Sequence, residues 1–114
     1  MLTDLTYLRE ATDGNASLIY ELISLFETQI EEFDNEMQQA LAANDAERLR
    51  KAAHKAKGST RSLGMNKTAD ILVKIEDLCI GKNSIDTQKM KETLSNNVNT
   101  FITQCHLAMK ELRN

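Results

Sequence analysis

The sequence has 114 residues, of which 41% are hydrophobic and 27% charged, as expected of one globular domain spanning residues 1–114. It contains no proline, four glycines and 4% aromatic residues, which argues against a β-sandwich or barrel and favours helices. The formal net charge of −3 argues against a general nucleic-acid binder. No apolar run approaches the roughly 20 residues that cross a bilayer, so we expect a cytoplasmic protein without membrane contact.

Five amphipathic segments follow one another, with apolar residues at the three- and four-residue steps of a helix. They span about residues 4–11, 15–43, 46–63, 66–79 and 84–112. Asp45 and Asn66 are expected to cap the third and fourth helices. Gly64 and Gly81 are expected to end them, since glycine favours the position after a helix.

Four sizeable amphipathic helices with short connections predict an all-α fold. The simplest packing is an antiparallel up-down-up-down four-helix bundle, with a short extra N-terminal helix. The second and fifth segments are predicted to be the longest. Several asparagines weaken the last helix, so we expect packing through Val98 and Phe101 to hold it. Because the bundle fills the sequence, a standalone protein or an excised domain is favoured over an intact kinase.

The third helix contains a histidine on its outer face. Its predicted buried stripe consists of Leu49, Ala53, Ala56, Thr60 and Leu63. With Leu49 at zero on a helical wheel, His54 lies at about 140° and Gly58 at about 180°, towards solvent. A neutral imidazole nitrogen is a competent nucleophile near neutral pH, so an exposed histidine on a rigid helix is a candidate reactive group.

Gly58 is unusual because it lies inside a helix, where glycine costs roughly 1 kcal/mol relative to alanine. It follows His54 by one turn on the same face. A tolerated interior glycine is one interpretation. The other, which we favour, is that the missing side chain lets the backbone of another protein approach the imidazole.

The histidine helix and the turn after it are strongly basic. Seven cationic residues lie between positions 48 and 69, with no Asp or Glu among them: Arg48, Arg50, Lys51, Lys55, Lys57, Arg61 and Lys67. Most such runs are solvated surfaces. A functional interpretation is a docking surface for an anionic partner, formed by Arg50, Lys51, Lys55 and Arg61, with Lys57 placed to contact a phosphoryl oxygen. The patch lacks aromatic residues, which disfavours single-stranded nucleic acid.

Other kinds of site are poorly supported. Cys79, Cys105 and His106 show no zinc-ligand spacing, and both cysteines are expected to be buried, reduced thiols. Glu76 and Asp77 are adjacent and are expected to splay apart as a solubilising surface. No glycine-rich phosphate loop is present. We therefore expect no bound metal or other cofactor.

Residues 53–64, which read AHKAKGSTRSLG, resemble the signature of histidine phosphotransfer (HPt) domains, A-H-x-L-K-G-S followed by L-G. The resemblance extends over about residues 5–79. The last helix matches only as an amphipathic segment. Ala56 departs from the pattern, since the family usually has a larger apolar residue there, and we interpret this as an adjustment of the core.

The resemblance implies a four-helix bundle with His54 as the phosphoacceptor, Lys57 holding the phosphoryl group and Gly58 giving the partner access. It implies a phosphocarrier without kinase activity. The implied partners are response-regulator receiver domains, which supply Mg²⁺, and a sensor or hybrid histidine kinase.

Two other interpretations stay open from the residues alone. One is a helical docking module that binds an acidic partner through its basic face without moving phosphate. The other is a structural helical domain without a site. We expect a monomer, because the face that carries His54 must stay free.

Overall fold

The computed structural model describes residues 1–113 and contains five helices. They are α1 (Thr6–Ala11), α2 (Ala16–Ala42), α3 (Ala46–Ser62), α4 (Asn66–Cys79) and α5 (Gln88–Arg113). α2 and α5 have 27 and 26 residues, whereas α3 and α4 have 17 and 14. This confirms the predicted difference between the long and the short helices.

The four larger helices form an antiparallel up-down-up-down bundle, which confirms the predicted fold class. Each helix packs against two neighbours in the order α2, α3, α4, α5, and α5 returns to α2. α1 is the extra N-terminal helix, and it buries Leu8. Within residues 1–113, no helix is long and apolar enough to cross a membrane.

Side-chain caps fix the starts of α2 and α3. Asn15 accepts a hydrogen bond from the Leu18 amide, and Asp45 accepts one from the Arg48 amide, each at 3.0 Å. Such caps satisfy amides that have no partner within the helix. The cap predicted at Asp45 is therefore confirmed, and it sets the register of the helix that carries His54.

The predicted cap at Asn66 is wrong, because Asn66 is already the first residue of α4. The position before it belongs to Met65, whose side chain makes no cap hydrogen bond and is completely buried. Burial of this methionine, together with the left-handed Gly64 (φ +67°), fixes where α4 begins.

Two further helix starts differ from the sequence prediction. α1 begins at Thr6 and not at residue 4, because the Asp4 amide donates to the Leu63 carbonyl at 3.0 Å. α5 begins at Gln88 and not near residues 84–86. The Ile85 amide there donates to the Asn44 carbonyl at 2.9 Å, so this segment pairs with the α2–α3 connection.

The core contains the predicted apolar stripes. All members of the α3 stripe are buried: Leu49, Ala53, Ala56, Thr60 and Leu63. The Thr60 hydroxyl donates to the Ala56 carbonyl, which satisfies the one polar group of this stripe. On α5, Val98 and Phe101 are fully buried, as expected from the weak propensity of that helix.

Both cysteines are buried free thiols, as predicted. Burial raises the pKa of Cys79 to about 11 and that of Cys105 to about 12. Because the thiolate is the reactive form, both thiols are inert at neutral pH.

Candidate functional site

His54 lies in the middle of α3, and its side chain is 68% exposed. The buried stripe on the opposite side of α3 holds the helix against the bundle, so the imidazole is presented on a rigid support. The prediction that His54 faces solvent is confirmed.

The imidazole is held by a carboxylate from the neighbouring helix. His54 Nδ1 lies 3.1 Å from Glu76 Oε2, and Glu76 belongs to α4. Lys57 Nζ lies 2.6 Å from Glu76 Oε1. The side chains of Lys57 and Glu76 are only 19% and 15% exposed, so their contact is sheltered from solvent. We call these three residues the His54–Lys57–Glu76 cluster.

The contact with Glu76 decides which ring nitrogen of His54 is available. A carboxylate accepts hydrogen bonds, so a neutral imidazole facing Glu76 carries its proton on Nδ1. Of the two ring nitrogens, Nε2 is therefore the one with a free lone pair, in a side chain that is 68% exposed.

Glu76 is ionised in this arrangement. Burial raises the pKa of its carboxyl, but the contacts with Lys57 and His54 outweigh burial and bring the pKa below the ordinary value of 4.5. The cluster thus places an anion on the Nδ1 side of His54 and a cation beside that anion.

The sequence-based interpretation of Glu76 as a solubilising residue is wrong, whereas Asp77 is exposed as expected. The charged group that contacts the His54 ring is consequently an anion, Glu76. A helical wheel of α4 contains the missed signal. Glu76 lies about 40° from Leu72, inside the arc occupied by the buried Leu72 and Ala69. A charged residue within a buried arc requires a partner.

Two cations of the basic run are held by carboxylates of the bundle. Arg48 binds Glu36 of α2, and Arg50 binds Glu47 one turn earlier in α3, with Nη2 2.6 Å from Oε1. These hydrogen bonds lower the pKa of both carboxyls. Arg50, which was predicted to bind a partner, is therefore already engaged within α3.

The other predicted docking cations are Lys51, Lys55 and Arg61, and all three are exposed. Among residues 1–113, no carboxylate lies within 4.0 Å of their charged groups. They lie around His54 on the outer face of α3 and give this face a positive charge, although Glu47 and Glu36 interact at longer range with Lys51 and Lys55.

Gly58 lies on the same open face. A Cβ atom added to it would meet nothing within 4 Å, so the packing of the chain does not demand a glycine there. Its backbone is part of a regular helix. The exposed backbone beside His54 is therefore available to an approaching molecule.

Within residues 1–113, no three His, Cys, Asp or Glu side chains are grouped closely enough to hold a metal ion. His106, the second histidine, lies exposed on α5, outside the cluster.

A family model described as the Hpt domain matches residues 21–114 of this chain. The matched region includes α3, α4 and α5 entire and most of α2, and it leaves out α1. No curated protein and no solved structure matches the chain.

Proposed function

The chain belongs to the Hpt domain family, and on this basis we propose that it is a phosphocarrier whose His54 takes a phosphoryl group from one receiver domain and passes it to another. Domains of this family carry out histidine phosphotransfer in two-component signalling. The observation that carries the assignment to His54 is its exposed imidazole, with Nδ1 held 3.1 Å from Glu76.

In the proposed step, the lone pair of His54 Nε2 attacks the phosphorus atom of an aspartyl phosphate in the receiver. The Nε2–P bond forms as the O–P bond to the aspartate breaks, and the aspartate leaves as a carboxylate. The proton on Nδ1 stays in place, so the ring becomes cationic. Glu76 then faces a positive charge, which strengthens its contact with Nδ1. The reverse step delivers the phosphoryl group to a second receiver.

Lys57 is proposed to stabilise the phosphoryl group. Its ammonium has three donors, so it can keep its contact with Glu76 and donate to a phosphoryl oxygen. Phosphoryl transfer depends mainly on positioning and on charge stabilisation, and residues three apart lie side by side on a helix. Gly58 is proposed to give the receiver access, since the space in front of it is empty.

The proposed partners are receiver domains and a sensor or hybrid histidine kinase. We propose that the receiver supplies Mg²⁺ and that this chain has no kinase activity, binds no nucleic acid and acts as a monomer. Lys51, Lys55 and Arg61 support an acidic partner, because their charged groups are exposed and form no ion pair within residues 1–113. The same three cations favour the second candidate, a docking module that binds a receiver without accepting phosphate.

A phosphotransfer assay read by intact mass distinguishes the two. Receiver domains from the source organism are charged with acetyl phosphate and Mg²⁺ and mixed with the chain, with His54→Gln and with His106→Gln. We expect one phosphoryl group on the unsubstituted chain and on His106→Gln, labile in acid and stable in base, and none on His54→Gln.

His106→Gln is a matched control, because it removes the other exposed histidine. Binding of a receiver without phosphate transfer to any variant would replace the phosphocarrier with the docking module. Phosphate on His54→Gln and none on His106→Gln would move the acceptor to α5.

A further inference from the structure

We infer that α1, together with the neighbouring Leu25 of α2, forms part of the docking surface for receiver domains and that Tyr7 helps select which receiver binds. The inference rests on the proposed function. The inference adds an apolar region to the docking surface, for which the sequence predicts only cationic residues of α3.

Tyr7 lies next to Gly58 at the C-terminal end of α3. A cleft of about 300 Å³ is lined by Tyr7, Gly58, Arg61 and Ser62. A second cleft, of about 200 Å³, lies between α1, α2 and α3, and its lining includes Leu25 and the same Ser62. The two clefts therefore meet, and we call them together the α1 patch.

The α1 patch lies within reach of any partner that covers His54. With a rise of 1.5 Å per residue, Gly58 is about 6 Å and Ser62 about 12 Å along the helix axis from His54. An ordinary protein interface buries about 800 Å² on each partner, which corresponds to a disc of about 16 Å radius. A receiver centred on His54 would therefore reach Gly58 and Ser62, which line the α1 patch.

The chain holds α1 firmly in this position. The Asp4 amide donates to the Leu63 carbonyl at the end of α3, and the side chain of Leu8 in α1 is buried in the core. Gly64 lets the two segments come together, because a Cβ atom there would lie 2.1 Å from the Asp4 carbonyl oxygen. The patch is thus formed before a partner arrives, which lowers the cost of binding.

The chemistry of the patch suits a protein partner. Tyr7 is 61% exposed and Leu25 is 54% exposed, although both side chains are largely apolar. Tyrosine and arginine are enriched among residues that dominate binding energy, and Tyr7 and Arg61 line the same cleft. The patch therefore fits a receiver that places an apolar side chain beside its acidic phosphorylation site, with carboxylates facing Lys51, Lys55 and Arg61.

The family match points to selection of the partner as the role of α1. Residues 21–114 match the family model, so the catalytic histidine and its neighbours belong to the shared region, whereas Tyr7 does not. A contact outside the shared region distinguishes one receiver from another without altering the chemistry at His54.

The test compares two substitutions in the patch with two of equal exposure elsewhere. Tyr7→Ser and Leu25→Ser alter the patch. Tyr20→Ser and Leu107→Ser are the controls. Tyr20 is 61% exposed beside Arg113 and lines a different cleft, with Leu5 and Arg9 of the α1 region, and Leu107 is 51% exposed on α5. Circular dichroism and thermal unfolding check that each variant keeps its fold.

The receiver that phosphorylates the unsubstituted chain fastest serves as the donor. We expect KM to rise about tenfold for Tyr7→Ser and Leu25→Ser, with kcat within about twofold of the value for the unsubstituted chain. This is the result expected when a docking contact is lost and the chemical step is unchanged. The controls should behave as the unsubstituted chain does. Phosphoramidate, a small donor that does not dock, should label all five proteins equally.

If the receiver phosphorylates both Tyr7→Ser and Leu25→Ser with the same KM as the unsubstituted chain, the inference is overturned and the proposed function stays intact. Equal losses in the two controls would also overturn it. If phosphoramidate and every receiver leave the unsubstituted chain unlabelled, the proposed function fails and the inference falls with it.

Discussion

Glu76 of α4 holds His54 of α3 through a single contact, with Oε2 3.1 Å from Nδ1, and its second oxygen binds Lys57. One partly buried carboxylate thereby sets the tautomer of the proposed phosphoacceptor and the position of the nearby cation. Removal of the Glu76 carboxylate should therefore alter both the tautomer of His54 and the position of Lys57, and these two effects can be measured separately.

Glu76→Gln should slow phosphotransfer by about tenfold without abolishing it. The amide cannot neutralise the ring that becomes cationic on phosphorylation, and a tenfold change corresponds to about 1.4 kcal/mol in the barrier. In this variant, the Nδ1–H tautomer of His54 is no longer favoured by a carboxylate. Long-range ¹H–¹⁵N spectra should show the Nδ1–H form in the unsubstituted chain and a mixture of forms in Glu76→Gln.

Asp77→Asn is the matched control, since it removes an exposed carboxylate from the adjacent position. It should leave the spectrum and the transfer rate unchanged. Identical tautomer signals in Glu76→Gln and the unsubstituted chain would contradict the positioning role of Glu76.

The location of His54 was predictable from the sequence because it depends only on one helix. The stripe from Leu49 to Leu63 fixes which side of α3 is buried, and His54 lies away from that side. The contact between Glu47 and Arg50 is also local, at a spacing of three residues that a helical reading would recognise. Local periodicity thus explains the four-helix bundle and the exposed face.

The partner of His54 was not predictable in the same way. The contact between His54 and Glu76 spans 22 residues in sequence and depends on the position of α4 along the axis of α3. The buried Met65 and the turn at Gly64 determine that position. The placement of α1 over the end of α3 depends on the hydrogen bond between Asp4 and Leu63, on the close approach of Asp4 to Gly64 and on burial of Leu8. The helical wheel of α4 indicates that Glu76 needs a partner, but no periodic signal identifies either contact, because each joins separate elements.

Lowering the pH should reduce the free energy of unfolding of the unsubstituted chain more than that of Glu76→Gln. Since the pKa of Glu76 in the folded chain lies below 4.5, its ionised form stabilises the fold above about pH 4.5. This contribution is lost as the pH falls through the folded pKa. At pH 7, Glu76→Gln should lower the free energy of unfolding by about 1–2 kcal/mol, because Lys57 loses its charged partner.

Urea unfolding at pH 7 and at pH 3.5 measures this effect. Glu36 and Glu47, whose pKa values are also lowered, are present in both proteins, so the difference between the two isolates Glu76. A gap that stays constant or widens in acid would show that folding does not lower the pKa of Glu76.

Gly58→Ala should stabilise the chain and slow its reaction with receivers. Alanine favours a helix interior by about 0.5–1 kcal/mol over glycine, and the added Cβ meets nothing within the chain. The methyl group would instead meet the receiver. Urea unfolding should show the gain in stability, while transfer from a receiver falls and labelling by phosphoramidate does not.

Gly58→Leu extends this experiment, because a larger side chain on the same open face should slow receiver transfer further. Equal transfer rates for glycine, alanine and leucine at position 58 would mean that no partner backbone approaches there.

Gly64→Ala should destabilise the chain more than Gly81→Ala does. Both glycines have left-handed backbones, with φ of +67° and +73°, so alanine is strained by about 1–2 kcal/mol at either position. Only at Gly64 would the new Cβ also collide with the Asp4 carbonyl oxygen, whereas nothing lies within 4 Å at Gly81. The difference between the two variants therefore measures the close approach of the N-terminal segment to α3.

We expect the two variants to differ by at least about 1 kcal/mol in the free energy of unfolding measured with urea. We also expect faster tryptic cleavage after Arg9 in Gly64→Ala, because α1 loosens. Equal losses of stability and equal cleavage rates would mean that α1 is not held by this contact, and the α1 patch would lose its rigid support.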